Sequence, residues 1–168
     1  MSTQTMNEKD ALIQTCGREY PTTLKILRAY PAGRDDFKPA EKSNTARQLA
    51  WTFVLELKVA GQALDGAIDF SAGMAPAPAK SVAQLADMLE QSQRELLAKL
   101  RNTTESDLNR MVDTPTGPKQ MGKVRAIDFL WMMLMDSIHH RGQLSVYLRL
   151  VGAKVPSIYG PTADEPWM

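Results

Sequence analysis

The chain has 168 residues, of which 43% are hydrophobic and 23% charged, with 20 basic against 19 acidic side chains and a net charge of +1. That length suits one domain able to bury roughly two-thirds of its unfolded surface. Near-neutral charge, with no basic cluster interleaved with aromatics, argues against a nucleic-acid partner.

A single cysteine, Cys16, rules out an intrachain disulfide, and its helical setting reads as that of a small buried hydrophobe. The polar, acidic start Met1–Asp10 lacks the pattern of a secretory signal. The longest apolar run, Phe129–Met135, falls far short of the roughly 20 residues that span a bilayer. The expectation is a cytoplasmic protein with no membrane partner.

Helical periodicity predicts a first helix over about 8–29, carried by Leu12, Ile13, Leu24, Ile26 and Leu27, with a kink or restart at Pro21. After an extended stretch Arg34–Lys42, Thr45 and Gln48 have capping-box spacing and open a second helix over about 45–64. Its buried face is Leu49, Phe53, Leu57, Ala60 and Leu64. Asp65–Lys80, with Gly66, Gly73, Pro76 and Pro78, is irregular and has room to cross one end of a bundle.

Ser81 and Gln84 form a second capping box before a helix over about 82–101, with Val82, Leu85, Leu89, Leu96 and Leu100 inward. Asn102–Gly122 reads as a polar connection, with a short turn near Ser106–Met111 and a tight turn in Thr114–Pro118; no segment shows strand alternation. The fourth helix is predicted over about 123–151, apolar around much of its girth and stopped by Gly152. The proline-rich tail is expected to pack irregularly through Val155, Ile158 and Tyr159. Four such helices with long connections predict an all-α four-helix bundle.

The chemistry concentrates at Asp136-Ser137-Ile138-His139-His140-Arg141-Gly142-Gln143. Asp136 and His140, four apart on one helix face, suit a carboxylate and an imidazole converging on one metal ion. They equally suit an Asp–His hydrogen bond inside a helical core. Gln143 and Tyr147 continue that face, and His139 points about 100° away. A metal needs a further ligand from another helix, and Thr52 and Glu56 on the second helix are the candidates. Thr52 offers only a neutral hydroxyl. Glu56 is a competent ligand, or else an edge carboxylate paired with Lys58 or Arg47. Arg141 either pairs with Asp136 or Glu56 or is exposed; Gly142 points to close helix approach; Met132, Met133 and Met135 read as core or dimer interface. Tyr159 and Trp167 either cover the pocket mouth or pack on the bundle.

His139-His140-Arg141-Gly142-Gln143-Leu144, with the tail Val155-Pro156-Ser157-Ile158-Tyr159-Gly160-Pro161, closely resembles the DinB-like (damage-inducible) family over nearly the whole chain. Ala46–Trp51 resembles that family's second-helix opening, and Glu19-Tyr20-Pro21 its first helix. The resemblance implies an up-up-down-down four-helix bundle, often a homodimer. It also implies a divalent metal, nickel or zinc, held by three histidines. His140 matches the last of these, while Asp136 and Thr52 stand where the other two are expected. Some relatives are thiol-dependent transferases or isomerases, in which a metal lowers the pKa of a bound thiol or water.

The leading expectation is a metal-dependent enzyme of transferase or hydrolase type, with an altered ligand set, acting on a small molecule. Its competitors are a stress-associated binding module whose pocket holds a small molecule without metal, and a dimeric interaction scaffold. Neither a Ser-His-Asp pattern nor a phosphate loop offers other chemistry.

Overall fold

A computed structural model of the chain describes residues 6–70 and 75–168; Met1–Thr5 and Gly73 lie outside them. Four long helices form the bundle: α1 (Glu8–Arg28), α2 (Ala46–Asp65), α3 (Val82–Asn102) and, at the end, α5 (Ala126–Leu150). Between α3 and α5 stand a short helix α4 (Glu105–Leu108) and two strands, β1 (Met111–Gly117) and β2 (Gln120–Arg125).

Local sequence accounts for the helix ends. Thr45 and Ser81 each close a reciprocal capping box with Gln48 and Gln84. Gly152 sits at φ 75, and the amides of Gly152 and Ala153 return to the carbonyls of Arg149 and Leu148, so α5 ends in a Schellman motif. Pro21 does not restart α1, which runs through it. Both Pro21 and Gly17, whose carbonyl loses its donor, lie on the exposed face, where water can take that bond.

The core is made by Leu12, Ile26, Leu27, Leu49, Phe53, Leu85, Leu89, Leu100, Leu144 and Leu148, all nearly inaccessible, with Cys16 buried among them as expected. α5 is less enclosed than its composition predicts: Met132 and Met135 face outward.

Ion pairs and hydrogen bonds fix the helix directions. Glu8 and Glu19 of α1 meet Arg125 and Arg141 in the same order along α5, so these two run parallel. Asn44, just before α2, accepts from Tyr147 near the end of α5, while Glu56 meets His140, so α2 runs the opposite way. Arg47 at the start of α2 donates to the Lys80 carbonyl, and Asp65 at its end pairs with Lys99, making α3 parallel to α2. Arg28 pairs with Glu90 and Lys9 donates to the Arg101 carbonyl, which sets α1 against α3.

The bundle with long connections stands as expected. Its directions run up, down, down, up, where up-up-down-down was expected. The physical consequence lies in residues 66–81. The described parts, 66–70 and 75–81, do not gather at one end of the bundle: the Asp69 amide donates to Gln62 near the end of α2, and the Ala75 carbonyl accepts from Trp51 near its start.

The hairpin is a correction to the polar connection predicted over 102–122. β1 and β2 pair antiparallel from Met111–Arg125 to Gly117–Gln120, with an irregularity between Pro115 and Gly117 and with Lys119 in the left-handed region at φ 58. In β1 only Val112 and Thr114 are buried, and in β2 Val124, opposite Val112, packs partly against the core, so the alternation is clear in burial and weak in hydropathy. The hairpin occupies the first residues assigned to the fourth helix, which therefore starts at Ala126. Among the described residues, no helix is long and apolar enough to cross a membrane.

Candidate metal centre

The second and last helices bring three of the predicted residues together. Glu56, Asp136 and His140 each offer a ligand atom, and these atoms all lie within 4.8 Å of one another. His140 Nδ1 lies 2.8 Å from Glu56 Oε1 and 3.8 Å from Asp136 Oδ1. The side chains grade from inside to outside, with Glu56 5% exposed, His140 17% and Asp136 47%. The heptad position of Glu56, between Phe53 and Leu57 on the buried stripe of α2, is what drives a carboxylate into the core.

Burial pushes the Glu56 carboxyl up to about 7, against the opposing pull of its hydrogen bond to His140. That same bond raises the His140 imidazole, with a smaller contribution from the charge of Asp136. The Phe53 ring stands edge-on to His140, at 6.2 Å between centroids, and fixes its tilt. The second oxygen of Glu56, Oε2, is buried without any hydrogen-bond partner. A buried carboxylate oxygen without a donor is costly, and it is the position a cation would satisfy. Two carboxylate oxygens and one imidazole nitrogen form a donor set suited to a divalent ion, with coordination positions left for water or substrate.

Glu56 and Asp136 open onto a cavity of about 370 Å³ between α2 and α5. Its walls include Leu55, Val59, Phe129 and Met132, with Phe70 and with Thr114 and Pro115 of β1 also lining it. Thr52 also lines it, but its hydroxyl donates to the Gln48 carbonyl one turn back. The loop and hairpin contributions were not foreseen, since nothing in their sequence marks them as walls.

The chain matches the DinB family over residues 1–167. It belongs to the DinB family. No curated protein matches it. Among solved structures, this DinB chain is similar to a DinB-like protein from Bacillus cereus ATCC 10987, with TM-score 0.73, 22% identity, and 89% of this chain and 97% of that one covered. A DinB-like protein from Bacillus subtilis gives TM-score 0.70 at 20% identity, covering 94% and 99%. YfiT from Bacillus subtilis, a probable metal-dependent hydrolase with an unusual four-helix bundle topology, gives 0.68 at 16%, covering 92% and 91%. At these identities the likeness establishes the fold.

Other expectations for this DinB chain fare unevenly. His139 is exposed and bonds Gln143, outside the cluster. Neither Lys58 nor Arg47 pairs with Glu56; Arg47 holds Asp36. Arg141 is 1% exposed and pairs with Glu19 at 2.7 Å, not with Asp136 or Glu56, because it leaves α5 toward α1. Gly142 is exposed, and a methyl group added there would meet nothing, so no helix within the chain approaches it. Tyr147 is buried with its hydroxyl on the Asn44 carbonyl. Tyr159 sits over Arg141, and Trp167 bonds Ser157; neither lines the cavity.

Proposed function

We propose that this DinB protein is a metal-dependent enzyme. Glu56, Asp136 and His140 hold a divalent ion, Thr52 stands on the wall beside them, and a small substrate occupies the adjoining cavity for hydrolysis or thiol-dependent transfer. The observation that carries this reading is the buried, unpartnered Oε2 of Glu56 within reach of a second carboxylate and an imidazole. A bound divalent ion supplies Lewis acidity, favouring the deprotonated form of a water or thiol near neutral pH.

The chain's own residues do the rest. Glu56 and Asp136 offset the ion's charge, and His140 gives up its Nδ1 proton to become a neutral donor. The apolar walls hold a substrate's apolar body beside the half-exposed Asp136. Replacing two family histidines by Asp136 and Thr52 shifts the donor set toward oxygen, which admits manganese beside the nickel or zinc implied by the family. The likeness in fold to YfiT, a probable metal-dependent hydrolase, supports the same direction.

Elemental analysis of untagged protein tests it. The expected result is close to one equivalent of nickel, zinc or manganese, lost in Asp136→Ala and in His140→Ala. Protein that stays metal-free after dialysis against all three ions would overturn the proposal. One observation favours a second reading, a small-molecule binding module without metal: His140 Nδ1 and Glu56 Oε1 already partner each other at 2.8 Å without an ion. Metal-free protein stabilised by a small-molecule ligand is the result that reading expects.

The same reading includes a cytoplasmic homodimer. Met132, Met135, Val146 and Leu150 leave α5 outward-facing along its length, and the open position at Gly142 lies between them. Sedimentation at micromolar concentration should show a dimer that Val146→Lys dissociates.

A further inference from the structure

A hollow of about 170 Å³ adjoins the cavity beside the candidate centre, and Thr52 and Leu55 wall both. From Gln48 in the hollow to Val59 in the cavity, the space follows α2 for roughly 16 Å at 1.5 Å per residue. Its two ends differ in chemistry. The cavity is walled mainly by aliphatic and aromatic side chains, and its carboxylates Glu56 and Asp136 are taken by the ion of the proposed function. The hollow has no charged side chain in its lining and offers neutral polar groups beside the Trp51 ring.

Those polar groups are partly spent, and what is left defines a guest. Gln48 Oε1 accepts from the Thr45 amide, so its Nε2 remains to donate. The Thr52 hydroxyl gives its hydrogen to the Gln48 carbonyl, so its oxygen remains to accept. Trp51 Nε1 donates to the Ala75 carbonyl, which pins that wall and leaves the indole face as surface. The Asn44 backbone carbonyl is taken by Tyr147, while its side-chain amide, without a partner among the described residues, both donates and accepts.

The start of α2 gives an anion no seat. The amides of Ala46, Arg47 and Gln48 already donate to the carbonyls of Phe37 and Asp35 and to the Thr45 hydroxyl. The Arg47 guanidinium is held by Asp36. A charged head of either sign would shed hydration in the hollow and find no counter-charge on its lining. A neutral group carrying both a carbonyl and an N–H meets the remaining donors and acceptors together.

We propose that the hollow is the head-group subsite for an elongated ligand bearing an uncharged carboxamide. The carboxamide sits among Asn44, Gln48 and Thr52, and the apolar body passes Thr52 and Leu55 into the cavity, beside the ion-holding residues and not on them. The inference rests on reading the cavity as the substrate site of the proposed enzyme, and it names the class of molecule that enters.

Calorimetry with two matched probes, 6-phenylhexanamide and 6-phenylhexanoate, tests it. On chelator-treated protein the amide should bind at least about tenfold tighter than the anion. One equivalent of zinc should change the amide's affinity by less than about threefold, because the head is held away from the ion. A larger zinc effect would place the amide on the ion and overturn its seat.

Asn44→Ala should weaken the amide by about five- to tenfold. Ala77→Phe, which fills the hollow from a residue that does not line the cavity, should weaken it by at least about tenfold. Thermal melts establish that each variant folds, and the two changes lie on different segments, so one misfolded variant leaves the other as the test. Anion binding as tight as the amide to chelator-treated protein would overturn the inference, as would an unchanged amide affinity in the folded variants. Protein that takes up no zinc yet keeps the amide preference would sink the metal reading alone. Zinc uptake with neither the preference nor the variant effects would sink only the ligand class.

Discussion

The guanidinium carbon of Arg141 lies 5.0 Å from the centre of the Tyr159 ring, and its Nη2 donates to the hydroxyl of the same tyrosine. That hydroxyl donates in turn to Glu19 Oε2, which Arg141 also holds at 2.7 Å. The two motifs most distinctive in the sequence, one on the last helix and one in the tail, therefore meet at a single buried charge. They tie the tail to α1 and α5 on the side of α5 away from the cavity.

Breaking that arrangement from its centre should be costly. Arg141→Met leaves Glu19 half of a buried pair and should lower unfolding free energy by about 3–5 kcal/mol. Tyr159→Phe keeps the ring over the guanidinium and loses only the hydroxyl's bonds, so about 1 kcal/mol is expected. Urea denaturation of the two variants beside the wild type measures both, and equal losses would show that the tyrosine carries more than its hydroxyl.

Glu56 should trade stability against metal binding. Glu56→Leu removes a desolvated carboxyl whose second oxygen has no partner, so the metal-free protein should be as stable as the wild type or more so. The same change should weaken zinc binding by more than the roughly 100-fold typical of losing an outer-shell partner. Thermal melts and metal competition against a chelator give the two quantities separately.

The pH dependence follows from the same side chain. Its carboxyl titrates at about 7 in the folded protein, against an ordinary value of 4.5. The stabilisation it gives in the protonated form is complete below about 4.5 and is lost as pH rises through about 7. His140, also raised, loses its contribution in the same direction as pH climbs through its folded value. Metal-free wild type should thus lose on the order of 3 kcal/mol relative to Glu56→Leu across that interval. Metal affinity should move the opposite way, rising with pH until both Glu56 and the raised His140 have lost their protons, with proton release on binding. Titrating both proteins by circular dichroism, and metal binding in two buffers of different ionisation enthalpy, would expose a wrong sign.

Thr52 offers a gain of function. Its hydroxyl is spent on the Gln48 carbonyl, yet it lines the cavity one turn before Glu56. Thr52→His should add an imidazole to the donor set and tighten nickel or zinc binding by at least about tenfold. Unchanged affinity in a folded variant would mean that this wall does not face the ion.

The helices were legible because capping boxes and 3.6-residue periodicity are local signals. Thr45–Gln48 and Ser81–Gln84 mark starts that tertiary contacts then leave untouched. Asp136, His140 and Glu56 could be chosen as a set because ligand types at helical spacing leave few alternatives. Their depth could not be read, since the burial of Glu56 depends on what α5 places against it. The hairpin escaped because its inward residues are only Val112, Thr114 and the half-buried Val124, and because Pro115 and the turn at Pro118-Lys119 mimic a loop. The partner of Arg141 is hidden for a related reason: proximity along α5 offers Asp136, whereas the side chain departs toward Glu19 of α1.

No two consecutive long helices here form an antiparallel hairpin: α1 and α2 lie across one diagonal, α3 and α5 across the other, and α2 with α3 run parallel. Assembly cannot begin from a local pair of helices that dock as soon as they are made. The earliest stable tertiary contact must close the long segment between α2 and α3, or a larger loop, and that entropy loss precedes any reward from packing. Such a chain condenses late and all at once, more slowly than an up-and-down bundle of equal length, and a fragment cut at its midpoint inherits no core of its own.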